Sequence, residues 1–169
     1  TLFRSQKNLW LLLGNGSIGI FDTRRFIFKQ VTVKLKDQKN MTAESGLMLD
    51  NDGNLFCYYS FREFVAYNRE RNEFSADHNN FIIPPTWRIT NLVDDPVGKK
   101  YLITTDSGLA VYNRITNKLS YRDHNTENEP LIEQFGKIPF VAGFIVDKKR
   151  RFWFKSWPPY GGCTIYAYD

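Results

Sequence analysis

A pattern that recurs four times along the 169 residues constrains the fold more than any other feature of the sequence. Each copy has an aromatic anchor inside an apolar run. The anchors are Trp10, Phe56, Tyr101 and Trp153, at intervals of 46, 45 and 52 residues. A second aromatic followed by Asp or Asn comes eleven residues after each of the first three anchors and fifteen after the last. A period of about 45 residues is typical of architectures in which each copy is one supersecondary unit.

Each copy contains short apolar runs separated by Gly, Asn, Asp and Arg, which predicts strands and turns. In the second copy we expect strands at 46–49, 55–59 and 64–67 and a fourth near Phe74. Helical periodicity is confined to 131–135, where one turn of helix in a long loop is expected. Four strands in a repeat of this length predict an all-β fold of β-propeller blades. An immunoglobulin-like sandwich, the rival all-β fold, would not repeat in this way.

The repeats cover approximately residues 1–43, 44–87, 88–138 and 139–169, which together make one propeller fragment, 1–169. We expect the first copy to lack its inner strand and the last its outer strand, giving fourteen strands, or about 3.5 blades. The anchors are expected where neighbouring blades meet. Both ends look cut, and such an arc has two unpaired sheet edges. It is therefore expected to self-associate, for example as a homodimer, or to pair with the remaining blades of a parent propeller.

Asp50 to Asn54 offers a run of oxygen ligands that could hold calcium. An EF-hand loop that began at Asp50 would need Gly at the position of Leu55 and Glu at the position of Phe61. The corresponding turns of copies three and four are 96–99 and 148–150, and both contain lysine. We therefore predict a turn and no metal site.

Composition and motifs speak against several functional classes. The net charge of +5 is a modest excess and does not indicate nucleic acid. The run KKRRFWFK, Lys148 to Lys155, resembles a nucleic-acid patch, but alternate side chains of a strand there would pack between blades. Cys57 and Cys163 lack the spacing of a metal or redox motif. No apolar run reaches about 18 residues, so no membrane insertion of this fragment is predicted.

Catalysis finds little support in the residues. His78 and His124 have no Ser or Cys partner at a recognisable spacing, and no glycine-rich phosphate loop is present. We therefore predict no catalytic residues and no cofactor. Abundant carboxylates leave paired-carboxylate glycoside cleavage open. A propeller-fold carbohydrate-processing enzyme and a general protein-interaction propeller are the alternatives, although the Gly-His and Trp-Asp marks of WD40 repeats are missing.

The loops suggest where a ligand would bind. In a blade whose strands A to D run outward from the axis, the B–C loops and the D–A connections open on one face, and long loops on a rigid scaffold commonly carry binding. The segment WPPYGG places two aromatics on a proline-stiffened loop, which suits a sugar ring. Alternatively, its Trp fills the gap between blades. The candidate ligand-binding residues are Trp157, Tyr160, Trp87, Arg88, Asp106 and Arg62.

The opposite face collects the A–B and C–D turns, which are rich in Lys and Arg. These side chains are expected to be solvated charge or, alternatively, a docking surface for an anionic partner.

The motif Asp-x-x-Gly-Asn-Leu-Phe, followed by Gly-Leu-x-x-Tyr-Asn, resembles the repeat of two-component regulator propellers. The copy from Asp106 to Asn113 is the cleanest. Such repeats build extracytoplasmic sensor regions of hybrid histidine kinases in bacteria that degrade polysaccharides. The resemblance implies a periplasmic, non-catalytic segment that recognises an oligosaccharide or another small ligand and signals to a kinase domain elsewhere in the parent protein.

Overall fold

A computed structural model of the chain describes residues 2–5, 8–35, 45–59, 63–76, 81–157 and 161–169. This part of the chain contains fifteen strands and one short helix. The strands are β1 (Leu2–Ser5), β2 (Asn8–Leu12), β3 (Ile18–Asp22), β4 (Ile27–Lys34), β5 (Ser45–Leu49), β6 (Leu55–Tyr59), β7 (Glu63–Asn68), β8 (Glu73–Ser75), β9 (Ile89–Asp95), β10 (Lys100–Thr105), β11 (Gly108–Asn113), β12 (Lys118–Tyr121), β13 (Val141–Val146), β14 (Phe152–Ser156) and β15 (Thr164–Tyr168), and the helix is α1 (Pro130–Phe135).

The chain divides into two compact units, Thr1–Asn79 and Asn80–Asp169. In the first unit β1–β4 and β5–β8 are two antiparallel meanders, called here the first and second meander. A short parallel pairing of β4 with β8 joins them into one eight-stranded sheet. In the second unit β9–β12 form a four-stranded sheet, the third meander, and β13–β15 form a three-stranded sheet, the fourth meander.

The strands expected in the second copy are confirmed, because β5 to β8 lie within one residue of each expected boundary. The helical turn near 131–135 is confirmed as α1. The expected absence of an inner strand in the first copy is wrong, because β1 pairs along its whole length with β2. Only residues 6 and 7 separate these two strands, so the described chain has fifteen strands rather than fourteen.

The Asp50 turn is confirmed as a turn. Asp50 is buried, and its Oδ1 accepts a hydrogen bond from the backbone N–H of Asn54 at 2.7 Å. Its Oδ2 accepts one from the Asn54 side-chain amide at 2.9 Å. Gly53 has a positive φ of 82°, and its carbonyl accepts a hydrogen bond from Arg69 at 2.9 Å. Both carboxylate oxygens of Asp50 therefore hold the β5–β6 hairpin closed.

The Asp or Asn that ends the third strand of a meander holds the turn into the fourth strand. Asp22 Oδ1 accepts hydrogen bonds from the backbone N–H groups of Arg24 and Arg25, at 2.8 and 3.1 Å. These two bonds lower the pKa of Asp22. Asn68 Oδ1 accepts a bond from the backbone of Arg71 at 3.0 Å, and Asn113 makes the same kind of bonds in its own turn. The recurring aromatic-Asp/Asn pair is thus a hairpin signal.

A tyrosine completes the same turn in the second and third meanders. The Tyr67 hydroxyl donates to Asn72 Oδ1 at 2.8 Å, and the Tyr112 hydroxyl donates to Asn117 Oδ1 at 2.9 Å. Asn72 and Asn117 have positive φ values of 50° and 57°. Asn tolerates this left-handed conformation better than other side chains with a Cβ, so the tyrosine orients a residue whose backbone already suits the turn.

In the first meander phenylalanine occupies both positions, so the side chains cannot form this hydrogen bond. Phe21 takes the place of the tyrosine, and Phe26 takes the place of the asparagine with a φ of 57°. Their rings are 6.2 Å apart, and Phe26 is 78% exposed. A large side chain is therefore held in a strained conformation with little burial to offset the strain.

The core of the first unit lies between the facing sides of its two meanders. Trp10 on β2 is buried, and its ring meets Tyr67 edge-on at 4.7 Å and Phe74 edge-on at 5.8 Å, both in the second meander. Ile18 of the first meander and Val65 of the second belong to the same apolar cluster. The anchor Trp10 is thus confirmed at the contact between neighbouring meanders.

The core of the second unit repeats this arrangement with different residues. Leu102 and Val111 of the third meander pack in one cluster with Phe144 and Phe154 of the fourth. Phe154 is stacked on the ring of Phe144, with centroids 5.8 Å apart. Helix α1 closes one side of this cluster with the buried Phe135.

Tyr101 does not occupy the position that its spacing predicts. Trp10 pairs with Ile20, the residue before the second aromatic, whereas Tyr101 pairs directly with the second aromatic, Tyr112. The residue of the third meander that pairs as Trp10 does is Leu102, which is opposite Val111. Because side chains alternate along a strand, Tyr101 lies on the other sheet face from Leu102. The expectation that every anchor is equivalent is wrong for Tyr101.

Replacing the strained Phe26 by Asn should stabilise the first unit by about 1 kcal/mol, since Asn adopts a positive φ at lower cost. The double variant Phe21→Tyr/Phe26→Asn should exceed the sum of the two single variants by about 0.5–1 kcal/mol, because only it restores the hydroxyl–amide hydrogen bond. Urea unfolding of the four proteins measures both quantities. A double variant that is merely additive would contradict the role given to this hydrogen bond.

Candidate functional site

Four loop segments of the second unit are linked by backbone hydrogen bonds at one end of the sheets. The Asp106 N–H donates to the Arg88 carbonyl at 3.1 Å, and the Phe140 N–H donates to the Asp106 carbonyl at 2.9 Å. The Trp157 N–H then donates to the Phe140 carbonyl at 3.1 Å. These residues, together with Lys155, are called the Trp157 surface. Each of the four segments is hydrogen-bonded to the next, so the surface is built on a rigid frame.

Arg88 and Asp106 form the polar part of this surface. The backbone N–H of Arg88 donates to Asp106 Oδ1 at 2.9 Å, and Arg88 Nε lies 3.7 Å from Asp106 Oδ2. The Ser107 hydroxyl also donates to Asp106 Oδ1, at 3.0 Å. The Arg88 side chain is 56% exposed, and the Asp106 carboxylate beside its Nε restrains the orientation of the guanidinium.

Two aromatic side chains form the apolar part of the surface. Trp157 is 61% exposed and Phe140 is 41% exposed. Phe140 has a positive φ of 52°, and the neighbouring Pro139 carbonyl accepts a hydrogen bond from the Ser156 hydroxyl at 2.7 Å. Lys155 Nζ lies 5.3 Å from the centre of the Trp157 ring, a cation–π contact. Phe140 and Trp157 therefore present two aromatic rings to solvent.

Gly108 explains why the loops can approach so closely. It has a φ of 140°, and a Cβ there would lie 3.1 Å from the Gly136 carbonyl and 3.3 Å from the Ile138 carbonyl. Trp87 lies just beyond, at 4.0 Å from the same point. Trp87 is buried and meets Tyr121 edge-on at 5.4 Å. It therefore supports the β10–β11 turn from within the unit.

The structure brings Arg88, Asp106 and Trp157 together, as residues of one surface. Trp87 is next to them in sequence and space, but its side chain is buried. It therefore does not form part of the exposed surface that a ligand could contact. Tyr160 and Arg62 lie outside the described residues. Phe140 and Lys155 also belong to this surface but are not among the residues predicted from the sequence. Phe140 carried one usable signal, because it follows a proline in a loop between two apolar segments.

Some of the basic residues in the turns at the other end of the strands form ion pairs with carboxylates. Arg150 Nη2 lies 3.1 Å from Asp95 Oδ1, and Arg114 Nη2 lies 3.2 Å from Asp94 Oδ1. Residues 152–155 of the KKRRFWFK run belong to β14, and Phe154 is fully buried, so the strand interpretation is confirmed. The expectation of solvated charge is wrong for Arg114 and Lys100, whose side chains are only 13% and 28% exposed, whereas most of the other basic side chains in these turns are exposed.

Asp147 organises the β13–β14 turn. Its Oδ1 accepts hydrogen bonds from the backbone of Lys149 and Arg151, at 2.8 and 3.0 Å. Its Oδ2 accepts bonds from Arg151 Nε at 2.8 Å and from the Trp153 indole at 3.1 Å. Partial desolvation raises the pKa of Asp147, but the bonds from Arg151, Trp153 and the backbone outweigh it and lower that pKa to about 2.

The described part of the chain has neither a cluster of metal ligands nor a helix that could span a membrane. Its His, Cys, Asp and Glu side chains do not gather in any group of three or more that could hold a metal ion. None of its helices is long and apolar enough to cross a membrane.

Sequence comparison alone finds no match, either to a family model or to a curated protein. The fold is nevertheless shared with solved structures from B. thetaiotaomicron. The extracellular domain of BT4673, assigned to a hybrid two-component system, superposes with a TM-score of 0.63 and 15% identity over 99% of this chain. The corresponding domain of BT3049 gives a TM-score of 0.62 and 11% identity over 92%. A second BT4673 structure, assigned to a one-component system, gives 0.63 and 9% over 99%.

The chain spans about a fifth of the length of these neighbours, namely 20%, 20% and 22% of their chains. At these identities the likeness is one of fold. The neighbours include extracellular domains of two-component systems, the class of protein that the repeat resembles.

The low pKa of Asp147 makes stability depend on pH. The carboxylate form holds the β13–β14 turn above pH 4, and this contribution is lost as the pH falls from about 4 to 2. Asp147→Asn should therefore be less stable than the unmodified protein at pH 7, and the difference should shrink over that interval. Urea unfolding followed by tryptophan fluorescence at pH 7, 4, 3 and 2 measures it.

Glu133→Gln is the matched control, because Glu133 is an exposed carboxylate at the start of α1. Its stability difference from the unmodified protein should stay small across the same pH range. A constant difference for Asp147→Asn would show that the turn does not depend on the ionised carboxylate.

Proposed function

We propose that the chain forms consecutive blades of a β-propeller in the sensor region of a two-component system, and that its Trp157 surface contacts an oligosaccharide. The blade assignment is supported by the four successive antiparallel meanders and by the apolar packing between meanders within each unit. The sensor assignment is supported by the fold shared with extracellular domains of two-component systems.

The observation that carries the binding proposal is the exposed Trp157 on a hydrogen-bonded frame. Aromatic rings bind the apolar face of a sugar, and nearby polar groups bind its hydroxyls. Trp157 and Phe140 offer two aromatic surfaces, while Arg88 and Asp106 offer a donor and an acceptor beside them. Lys155 holds one side of the Trp157 ring, which reduces the entropy lost when a ligand stacks on it.

The remaining parts of the proposal concern the whole protein. The segment is non-catalytic and extracytoplasmic, in the periplasm, and the remaining blades of a parent propeller pack against its outer faces. A kinase elsewhere in that protein receives the signal as a change in packing between the propeller and the domains that follow. Self-association, for example as a homodimer, is an alternative way to cover those faces.

Trp157→Ala should weaken oligosaccharide binding at least about tenfold, because stacking on an aromatic ring contributes on the order of 1.4 kcal/mol or more. Isothermal titration calorimetry against a panel of plant and microbial oligosaccharides measures the affinity. The oligosaccharides are examined for cleavage after incubation with the protein. Ile115→Ala is the matched control, because Ile115 is an exposed apolar residue at the other end of β11.

Equal loss in both variants, or no loss in either, would contradict the site. Turnover of an oligosaccharide that a carboxylate substitution abolishes would contradict the non-catalytic part of the proposal.

A further inference from the structure

The second unit contains a cleft of about 440 Å³ beside β12, lined by Ile82, Lys118, Leu119, Tyr121, His124 and Thr126. Its volume lies within the range of about 300–1,000 Å³ that small-molecule sites occupy. None of these residues belongs to the Trp157 surface. The cleft is therefore a separate candidate for ligand binding.

One end of the cleft is an aromatic stack. The His124 ring lies 4.9 Å from the Tyr121 ring, with 25° between their planes. The backbone groups of the two residues also exchange hydrogen bonds, at 3.1 and 2.9 Å. Behind them the buried Trp87 meets Tyr121 edge-on at 5.4 Å. The exposed His124 ring is thus held flat on a fixed support, and a planar or ring-shaped ligand can stack on its outer side.

The rest of the cleft combines an apolar side with one positive charge. Ile82 is 84% exposed, and Leu119 is half-buried beside it. Within the described part of the chain Lys118 makes no ion pair, whereas the neighbouring Arg122 and Asp123 lie 3.8 Å apart and offset each other. The Thr126 hydroxyl adds a neutral donor. A ligand that matches this lining has an apolar ring and a carboxylate.

We propose that this cleft binds a carboxylate carried on a six-membered ring, with the ring against His124 and Leu119 and the carboxylate at Lys118. The ammonium group of Lys118 and the hydroxyl of Thr126 donate to the carboxylate oxygens. Two kinds of compound share this chemistry, an acidic sugar such as glucuronate and an aromatic acid such as benzoate.

Two-dimensional NMR titration of the whole chain tests the proposal with glucuronate, benzoate and their uncharged counterparts, glucose and benzyl alcohol. Saturable shifts at Lys118, His124 and Thr126 with either acid, and not with its uncharged counterpart, are the expected result. Binding of glucuronate alone would assign the site to acidic sugars, and binding of benzoate alone to aromatic acids. Equal responses to acids and uncharged compounds, or no response to any, would overturn the proposal.

Lys118→Met should weaken binding of the acid about tenfold or more, because it removes the charge and keeps most of the side-chain volume. Lys149→Met removes a charge from the β13–β14 turn instead and should leave the affinity unchanged. Trp157→Ala should also leave it unchanged, so this site and the proposed oligosaccharide surface can fail independently. An unchanged affinity in Lys118→Met, or an equal loss in Lys149→Met, would contradict a carboxylate at Lys118.

Discussion

The apolar contact between one meander and the next within each unit is the interaction on which the rest of the structure depends. A single meander has two sheet faces and no core of its own, so it is stable only when a neighbour covers one of them. In the first unit Trp10 fills this contact against Tyr67 and Phe74. In the second unit Leu102 and Val111 fill it against Phe144 and Phe154. Trp10 and Leu102 occupy the same position in the strand pairing of their meanders, although one side chain is aromatic and the other is aliphatic.

The two ends of the strands serve different purposes. At one end short turns are closed by side chains such as Asp22, Asp50 and Asp147, which bind the backbone of the turn itself. This end therefore sets the pairing of the strands. At the other end the loops bond to one another, as in the chain from Arg88 through Asp106 to Trp157. Their exposed side chains are not needed for strand pairing, which leaves them available for a ligand.

Much of the fold could be predicted because strands and Asp/Asn turns leave local signals. The four strands of the second meander and the turn at Asp50 are of this kind. The strand β1 escaped prediction because four residues before the first turn are too few to show alternation. The position of Tyr101 could not be predicted from its spacing of eleven residues to the second aromatic. The β10–β11 turn is only two residues long, which shifts the strand pairing by one residue, so that Tyr101 pairs with Tyr112 itself.

The candidate site was predictable only in part, since it depends on contacts between loops. Trp157, Arg88 and Asp106 had local signals, namely an aromatic near prolines and charges beside strand ends. Phe140 joins them through long-range backbone hydrogen bonds, and Lys155 joins them through a cation–π contact with Trp157. No periodicity in the sequence records either contact. The cleft at His124 has the same origin, because Ile82 and Thr126 are distant in sequence and meet only in the folded unit.

A double-mutant cycle between Trp10 and Tyr67 tests the packing of consecutive meanders most directly. The single variants Trp10→Leu and Tyr67→Leu, the double variant and the unmodified protein are compared by urea unfolding, and Phe21→Leu replaces Trp10→Leu in a control cycle on the other face of β3. The account predicts a coupling energy of about 0.5–1.5 kcal/mol between Trp10 and Tyr67 and none between Phe21 and Tyr67. Coupling that is absent from the first pair, or equal in the two pairs, would contradict it.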